Sequence, residues 1–428
     1  MSVADDVVAL IDRDEVARLA LEICNIDSPY GYERDVANHI FNWMEREGFV
    51  ARKIGLLSDR FNVLGTLHGT GGGYSMIFNS HMDTAVPATE DMIHADPANK
   101  IYHSAWEQDG LLFGEGICND KGPMAAFLIA AKAIKDSGHK LKGDLLVSGA
   151  VHETGGEPYG ELPGEYLHAK EIGARYLATH GGIADFALIA EGTGFGLAWI
   201  EPGECYLKIT LRSDLPPFYT AYLPDRTTLA ESPNMIVASA AVIGAIEEWA
   251  AEYQKNNVFS SAGGTVVPKA QFGGIRGGDG HRPYLCPQLC SLYFHMFVVP
   301  GHDVLALKDE ISEVVNKLGI KNSVEIYSFR PGYEAKNIDR FVDAVTRAHR
   351  ATFDEEPKPP YVESTSMWRD LTVWNELGVP AMTYGPRSTT HQFQRALSIE
   401  SLYKAACVYA RIAVEVCSEE KPRARPQP

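Results

Sequence analysis

YSMIFNSHMDTAVP, residues 74–87, carries an apolar run straight into a histidine and, two positions on, an aspartate. A short continuous apolar run bounded by turn residues predicts a strand buried on both faces. His81 then closes the strand and Asp83 lies just past it. Open α/β sheets collect their ligands beyond the carboxyl ends of such strands.

The flanking sequence repeats the arrangement. Downstream, GEGICNDKGPMAA (114–126) is a glycine-rich loop that holds Asp120 and opens the helix MAAFLIAAKAIKDSG. DLLVSGAV (144–151) is a second buried strand and leads into HETGGE, with His152 and Glu153. ADFALIAEG (184–192) is a third, ending at Glu191. Upstream, DEVARLALEICNI and ERDVANHIFNWMEREGF have apolar residues at helical spacing, and NVLGTLHG is β-like. Strands alternating with helices predict an α/β sheet covered on both faces. The same character returns near the end in helix NIDRFVDAVTRAHRATF, strand PAMTYG and helix SIESLYKAACVYARIAVEV, with His391 just after the strand.

Between these parts the pattern changes. CYLKITLRS, SPNMIVASAAVIGAIEEWAAEYQK, TVVPKAQF, CSLYFHMFVV, DVLALKDEISEVVNKLG and SVEIYSF read as β-α-β-β-α-β, a ferredoxin-like order. Ser232 and Pro233 suit the start of the first of these helices. The expected division is 1–203 with 333–428 as a catalytic domain and 204–332 as an inserted domain.

Bulk properties limit the partners. With 428 residues the chain exceeds one ordinary core. A net charge of -17 opposes nucleic acid or an anionic membrane as partner. No apolar run reaches the ~18 residues that span a bilayer. The opening MSVADDVVALIDRDEVARL is acidic and helix-like, and the seven cysteines are odd in number and scattered. Reduced thiols and a cytoplasmic location are the expectation.

His81, Asp120, Glu153, Glu191 and His391 offer imidazole and carboxylate, the donor set that suits Zn, Mn or Co. Singly each is an ordinary strand-end or loop residue; together they point to a metal centre. The segments HMDTAVP, GEGICNDKGPMAA, HETGG, IAEGTG and YGPRSTTH resemble, in order, the five metal-site motifs of one metallopeptidase family. Its members include acetylornithine deacetylase, succinyl-diaminopimelate desuccinylase, aminoacylase and glutamate carboxypeptidase. The resemblance covers nearly the whole chain. It implies a zinc-peptidase-like catalytic domain, with helices on both faces of a mixed sheet, plus an inserted α+β lid. It also implies a hydrolase of C–N bonds using one or two divalent transition metal ions, and a homodimer or higher homo-oligomer formed through the lid. Carried over by motif, His81, Asp120 and Glu191 hold one metal, and Asp120, Glu153 and His391 the other. Asp83 orients His81 by accepting its second ring N–H.

The chain departs from that family in two places. A glutamate acting as general base normally precedes the ligand glutamate; here His152 stands there if Gly155 sets the register. The rival register makes Glu153 the base and leaves one strongly held metal. The lid stretch LRSDLPPFYTAYLPDR (211–226) has no histidine where the family supplies one to an amide oxyanion. His295 and Phe297 stand where an Asp-x-Arg element is usual. Tyr219, Arg226, Arg276 or Arg282 could replace the missing donor. Alternatively charge develops elsewhere, as in displacement of an amino group from an electron-poor aromatic ring. Three readings are open: an aromatic amine aminohydrolase, an N-acyl amino acid deacylase or dipeptidase, and a metal-binding protein without catalysis. Phe218, Tyr219 and Tyr222 could flank a ring. Arg276, His281 and Arg282 could anchor a substrate carboxylate or form a solvated loop. Asp370 either supports the site or caps a helix.

Overall fold

The computed structural model describes residues 2–55, 57–84, 100–157, 159, 169–225, 228–388 and 395–422. Two compact units emerge: Met1–Trp199 with Ala335–Ser364 and Arg369–Pro428, and Ile200–Glu334 with Thr365–Trp368.

The first unit is built on a six-stranded mixed sheet in the order Val50–Ile54, Asn62–Leu67, Leu145–Ala150, Met76–His81, Phe186–Ile189, Ala381–Thr383. The last four strands run parallel to one another, and the first two pair antiparallel. Successive side chains of a strand face opposite ways, and both faces here are apolar. Met76, Phe78, Leu145, Val147, Phe186 and Leu188 enter one core, which includes residues of the helices Arg13–Cys24, Lys121–Asp136, Asp339–Phe353 and Ile399–Ser418. Ile77, Leu146, Ala187 and Ile189 enter the opposite core, with residues of the helices Ile172–Thr179 and Leu371–Glu376. That two-sided burial is why these strands read as unbroken apolar runs.

The second unit has a four-stranded antiparallel sheet in the order Ala270–Gly277, Leu289–Val298, Gly203–Arg212, Asn322–Arg330. Leu207, Ile209, Leu211, Leu292, Phe294 and Met296 share a core with Val242 and Ile246 of helix Met235–Asn256 and Leu307 and Ile311 of helix Val304–Asn316. Strand and helix order is ferredoxin-like. Two details differ from the sequence reading. The long helix is capped by Asn234, whose side chain accepts from the Ile236 and Val237 amides, while Ser232 accepts from the Asn234 amide. TVVPKAQF does not form one strand: Gly264–Val266 pairs with Phe259–Ser261 in a hairpin, and a new strand starts at Ala270. Pro268 lies in the break, where it has no ladder N–H to lose.

All seven cysteines are buried and unbridged. Among the described residues no helix is long and apolar enough to cross a membrane.

Candidate metal centre

Three neighbouring parallel strands deliver acids and a histidine to one end of the sheet. His81 is the last residue of its strand. Glu191 follows Phe186–Ile189 by two residues, and Glu153 follows Leu145–Ala150 by three. Asp120 comes from the loop that opens helix Lys121–Asp136, and the Asn119–Asp120 peptide is cis. The Ser80 hydroxyl donates to the Asp120 carbonyl at 2.8 Å, tying that loop to the His81 strand. Gly122 permits the fold-back, since a Cβ there would lie 2.0 Å from the Ile117 carbonyl oxygen.

His81, Asp120 and Glu191 are buried, and one ligand atom from each lies within 4.8 Å of the others. Among the described residues, neither Asp120 carboxylate oxygen has a hydrogen-bond partner, nor has Glu191 Oε1. Buried carboxylate oxygens without donors are costly. Three of them converging with an imidazole fit a divalent cation. The histidine tautomer agrees. His81 Nδ1 lies 2.8 Å from the Asp83 backbone carbonyl, which can only accept, so Nδ1 carries a proton, and once the ring gives up its second proton Nε2 is left for a metal. Asn119 Oδ1 is 3.3 Å from Nε2. Glu153 adjoins the cluster, its Oε2 3.7 Å from His81 Nε2 and its Oε1 4.0 Å from Lys170 Nζ.

The charges press on one another. Burial acts to lower the pKa of His81, but Glu153, Asp83, Asp120 and Glu191 outweigh it and raise the value to about 10. Desolvation lifts Glu153 to about 7 against the pull of Lys170 and His81. Desolvation, then the charge of Glu191, holds Asp120 well above the usual carboxylate range. Desolvation, then Glu153, does the same to Asp370.

One expectation needs correcting. The acceptor for the His81 ring is the carbonyl of Asp83, whereas its carboxylate Oδ1 is 3.8 Å away. That carboxylate instead accepts from the Glu153 amide at 3.2 Å and from the Thr154 amide and hydroxyl at 2.6 Å each. Asp83 therefore fixes the Glu153 loop with its side chain and His81 with its backbone.

His152 is buried and adopts φ +68°, uncommon for a residue with a Cβ. It lines a small, partly open pocket with Arg60, Asn62, Ile172 and Tyr176, and none of His81, Asp120 and Glu191 lines that pocket. His391 and Arg226 lie outside the described residues. Arg276 is exposed on strand Ala270–Gly277 of the second unit. Arg282, also exposed, pairs with Asp279 at 2.8 Å. Tyr219 is exposed and stacks on Tyr284, with ring centroids 5.8 Å apart.

Arg369 escaped the sequence reading. Its Nε donates to Glu191 Oε2 at 2.6 Å, with both side chains buried. Next to it Asp370, 1% exposed, accepts from Asn79 Nδ2 at 3.1 Å. A signal was present: MWRDLTVW sets two opposite charges inside a segment otherwise suited to a core.

Residues 77–415 match the model of peptidase family M20/M25/M40. A Bacillus subtilis (strain 168) relative, N-formyl-4-amino-5-aminomethyl-2-methylpyrimidine deformylase, is 24% identical over 96% of each chain. Acetylornithine deacetylase of Myxococcus xanthus is 23% identical over 87% of this chain and 90% of its own. Among solved structures, aminopeptidase PepT from Bacillus cereus ATCC 10987 superposes with a TM-score of 0.69 at 17% identity, covering 95% of this chain and 99% of that one.

Proposed function

Because the chain belongs to peptidase family M20/M25/M40, and so to the metal-dependent hydrolases of C–N bonds, we propose that its substrate is a small carboxylated aromatic amine, 5-nitroanthranilate, which it converts with water into 5-nitrosalicylate and ammonia. The observation that carries this reading is the stretch Leu211–Arg226, which has no imidazole for an amide oxyanion. Such a donor is worth about 3 kcal/mol of barrier in acyl transfer. Attack on an electron-poor ring does not require it, because the negative charge spreads into the ring and its nitro group.

His81, Asp120 and Glu191, joined by Glu153 and His391, would hold the cation. A bound divalent metal supplies Lewis-acid activation of water at neutral pH. His152 is proposed to take a proton from the attacking water and return it to the departing nitrogen, as the C–O bond forms and the C–N bond breaks. Its left-handed backbone is the kind of strain that collects at functional sites, and an imidazole titrates in the right range. Arg276, Arg282 and Tyr219 are proposed to recognise the carboxylate and the ring, and the inserted unit to join two copies of the chain. H152Q is expected to lower turnover by about 100-fold or more with Mn²⁺ binding intact, whereas E153Q should weaken Mn²⁺ binding itself. Calorimetric titration beside initial rates separates the two, and weakened metal binding in H152Q would reverse the assignment.

A second reading, N-deacylation, is favoured by the likeness to the Bacillus subtilis deformylase. The deciding experiment incubates Mn²⁺-loaded protein with 5-nitroanthranilate, and in parallel with N-acetyl and N-formyl amines. Ammonia and the absorbance change of the nitroaromatic support deamination. Release of acetate or formate without ammonia from the aryl amine overturns it.

A further inference from the structure

Asp370 is a buried carboxylate that no ligand set described above uses. Its Oδ2 accepts from Asn79 Nδ2 at 3.1 Å, and Asn79 Oδ1 in turn accepts from the Ser148 hydroxyl at 2.9 Å. This chain of hydrogen bonds crosses from strand Leu145–Ala150 to strand Met76–His81, and Asn79 shares a sheet face with His81, two residues on. Among the described residues the other oxygen, Oδ1, has no partner. Glu153, His81, Glu191 and Asp83 all lie within electrostatic reach of it.

A purely structural role does not explain the charge. An asparagine at 370 would satisfy Asn79 equally well without burying a carboxylate among three others, and a buried charge is costly unless something compensates it. The neighbouring Arg369 is already committed to Glu191. The missing compensation is a cation in the cluster of His81, Asp120 and Glu191.

Building on the metal-centre reading, we propose that Asp370 is a positioning residue of that centre: held by Asn79, which shares a sheet face with His81, its carboxylate strengthens the cluster's hold on a divalent cation without touching the reacting atoms. The interaction that opposes the other carboxylates in the metal-free protein becomes attractive once the cation binds. Supporting groups of this kind change metal affinity by about 10–100-fold.

The test uses the full chain, stripped with chelator and titrated calorimetrically with Mn²⁺ alone. D370N, nearly identical in shape, is expected to raise the dissociation constant by about 10–100-fold, while D370E keeps it near that of the unaltered protein. The thermal midpoint of metal-free D370N should stay level or rise, because burial and the neighbouring carboxylates already disfavour a charge at this position. An affinity unchanged by D370N overturns the proposal, as does a fallen metal-free midpoint with affinity intact, which is the pattern of a structural residue. Should D370N not fold, D370S gives the same reading. If the unaltered protein takes up no Mn²⁺, the metal-centre reading itself fails; uptake by the parent and equal uptake by D370N fail this inference alone.

Discussion

Arg369 and Glu191 are nearly inaccessible to water, so each is the other's counter-charge. Cutting one member of a buried pair typically costs about 3–5 kcal/mol. R369M should therefore lose about that much stability when metal-free, read from urea unfolding; a loss below about 1 kcal/mol would mean water reaches the site. The raised proton affinities have their own consequence. With His81 at about 10 and Glu153 at about 7, the metal-free protein near pH 7 holds a proton on His81 and part of one on Glu153. A cation needs both groups unprotonated. Binding must then release protons, and affinity must rise with pH through the range from about 6 to 9. Calorimetry in buffers of different ionisation enthalpy measures that release; a heat independent of buffer would contradict it. The convergence of His81, Asp120 and Glu191 had a signal in the sequence, because each adjoins a strand end or a helix start, where polar residues stand out against apolar runs. The role of Asp83 was only half legible, since one residue carries two acceptors and spacing does not choose between carbonyl and carboxylate. Arg369 was missed because its partner lies 178 residues away, and the charged pair inside MWRDLTVW marks burial without naming that partner.

Loops and helix starts carry the next level of precision. The loop bearing Asp120 closes on Ile117 only because residue 122 has no side chain. G122A would push against a backbone carbonyl, which cannot swing aside as a long side chain can. We expect at least a tenfold weaker Mn²⁺ affinity with the far-ultraviolet circular dichroism of the parent; unaltered affinity would show that the loop has slack. The long apolar helices and buried strands were readable from periodicity. Their ends were less so. Ser232, Pro233 and Asn234 all suit a helix start, and Asn234 prevails because its side chain reaches the two amides at the head of the helix. The split of TVVPKAQF turns on Pro268 and the hairpin ahead of it, a non-local pairing that no periodicity reveals.

The whole chain contains two separately cored units, of which one carries the whole described ligand cluster. A cation that binds only the folded form stabilises by about 2.7 kcal/mol at a hundred times its dissociation constant. Scanning calorimetry with and without chelator should show one transition that moves by roughly 5–10 °C and another that stays in place. Two transitions moving together would mean the units unfold as one. The order of strands and helices changes character between the two units, which is the signal that sequence periodicity carries. The assignment of Thr365–Trp368 to the second unit has no such signal, because sequence distance conceals that return.

The split organisation also sets a timetable. A ribosome that has released the first 199 residues has already issued His81, Asp120 and Glu191. The guanidinium that neutralises Glu191 is still unmade, and the entire second unit must be translated before it appears. For that interval the young sheet has to shelter a carboxylate with no counter-charge, leave that end unformed, or recruit a passing cation as its temporary substitute.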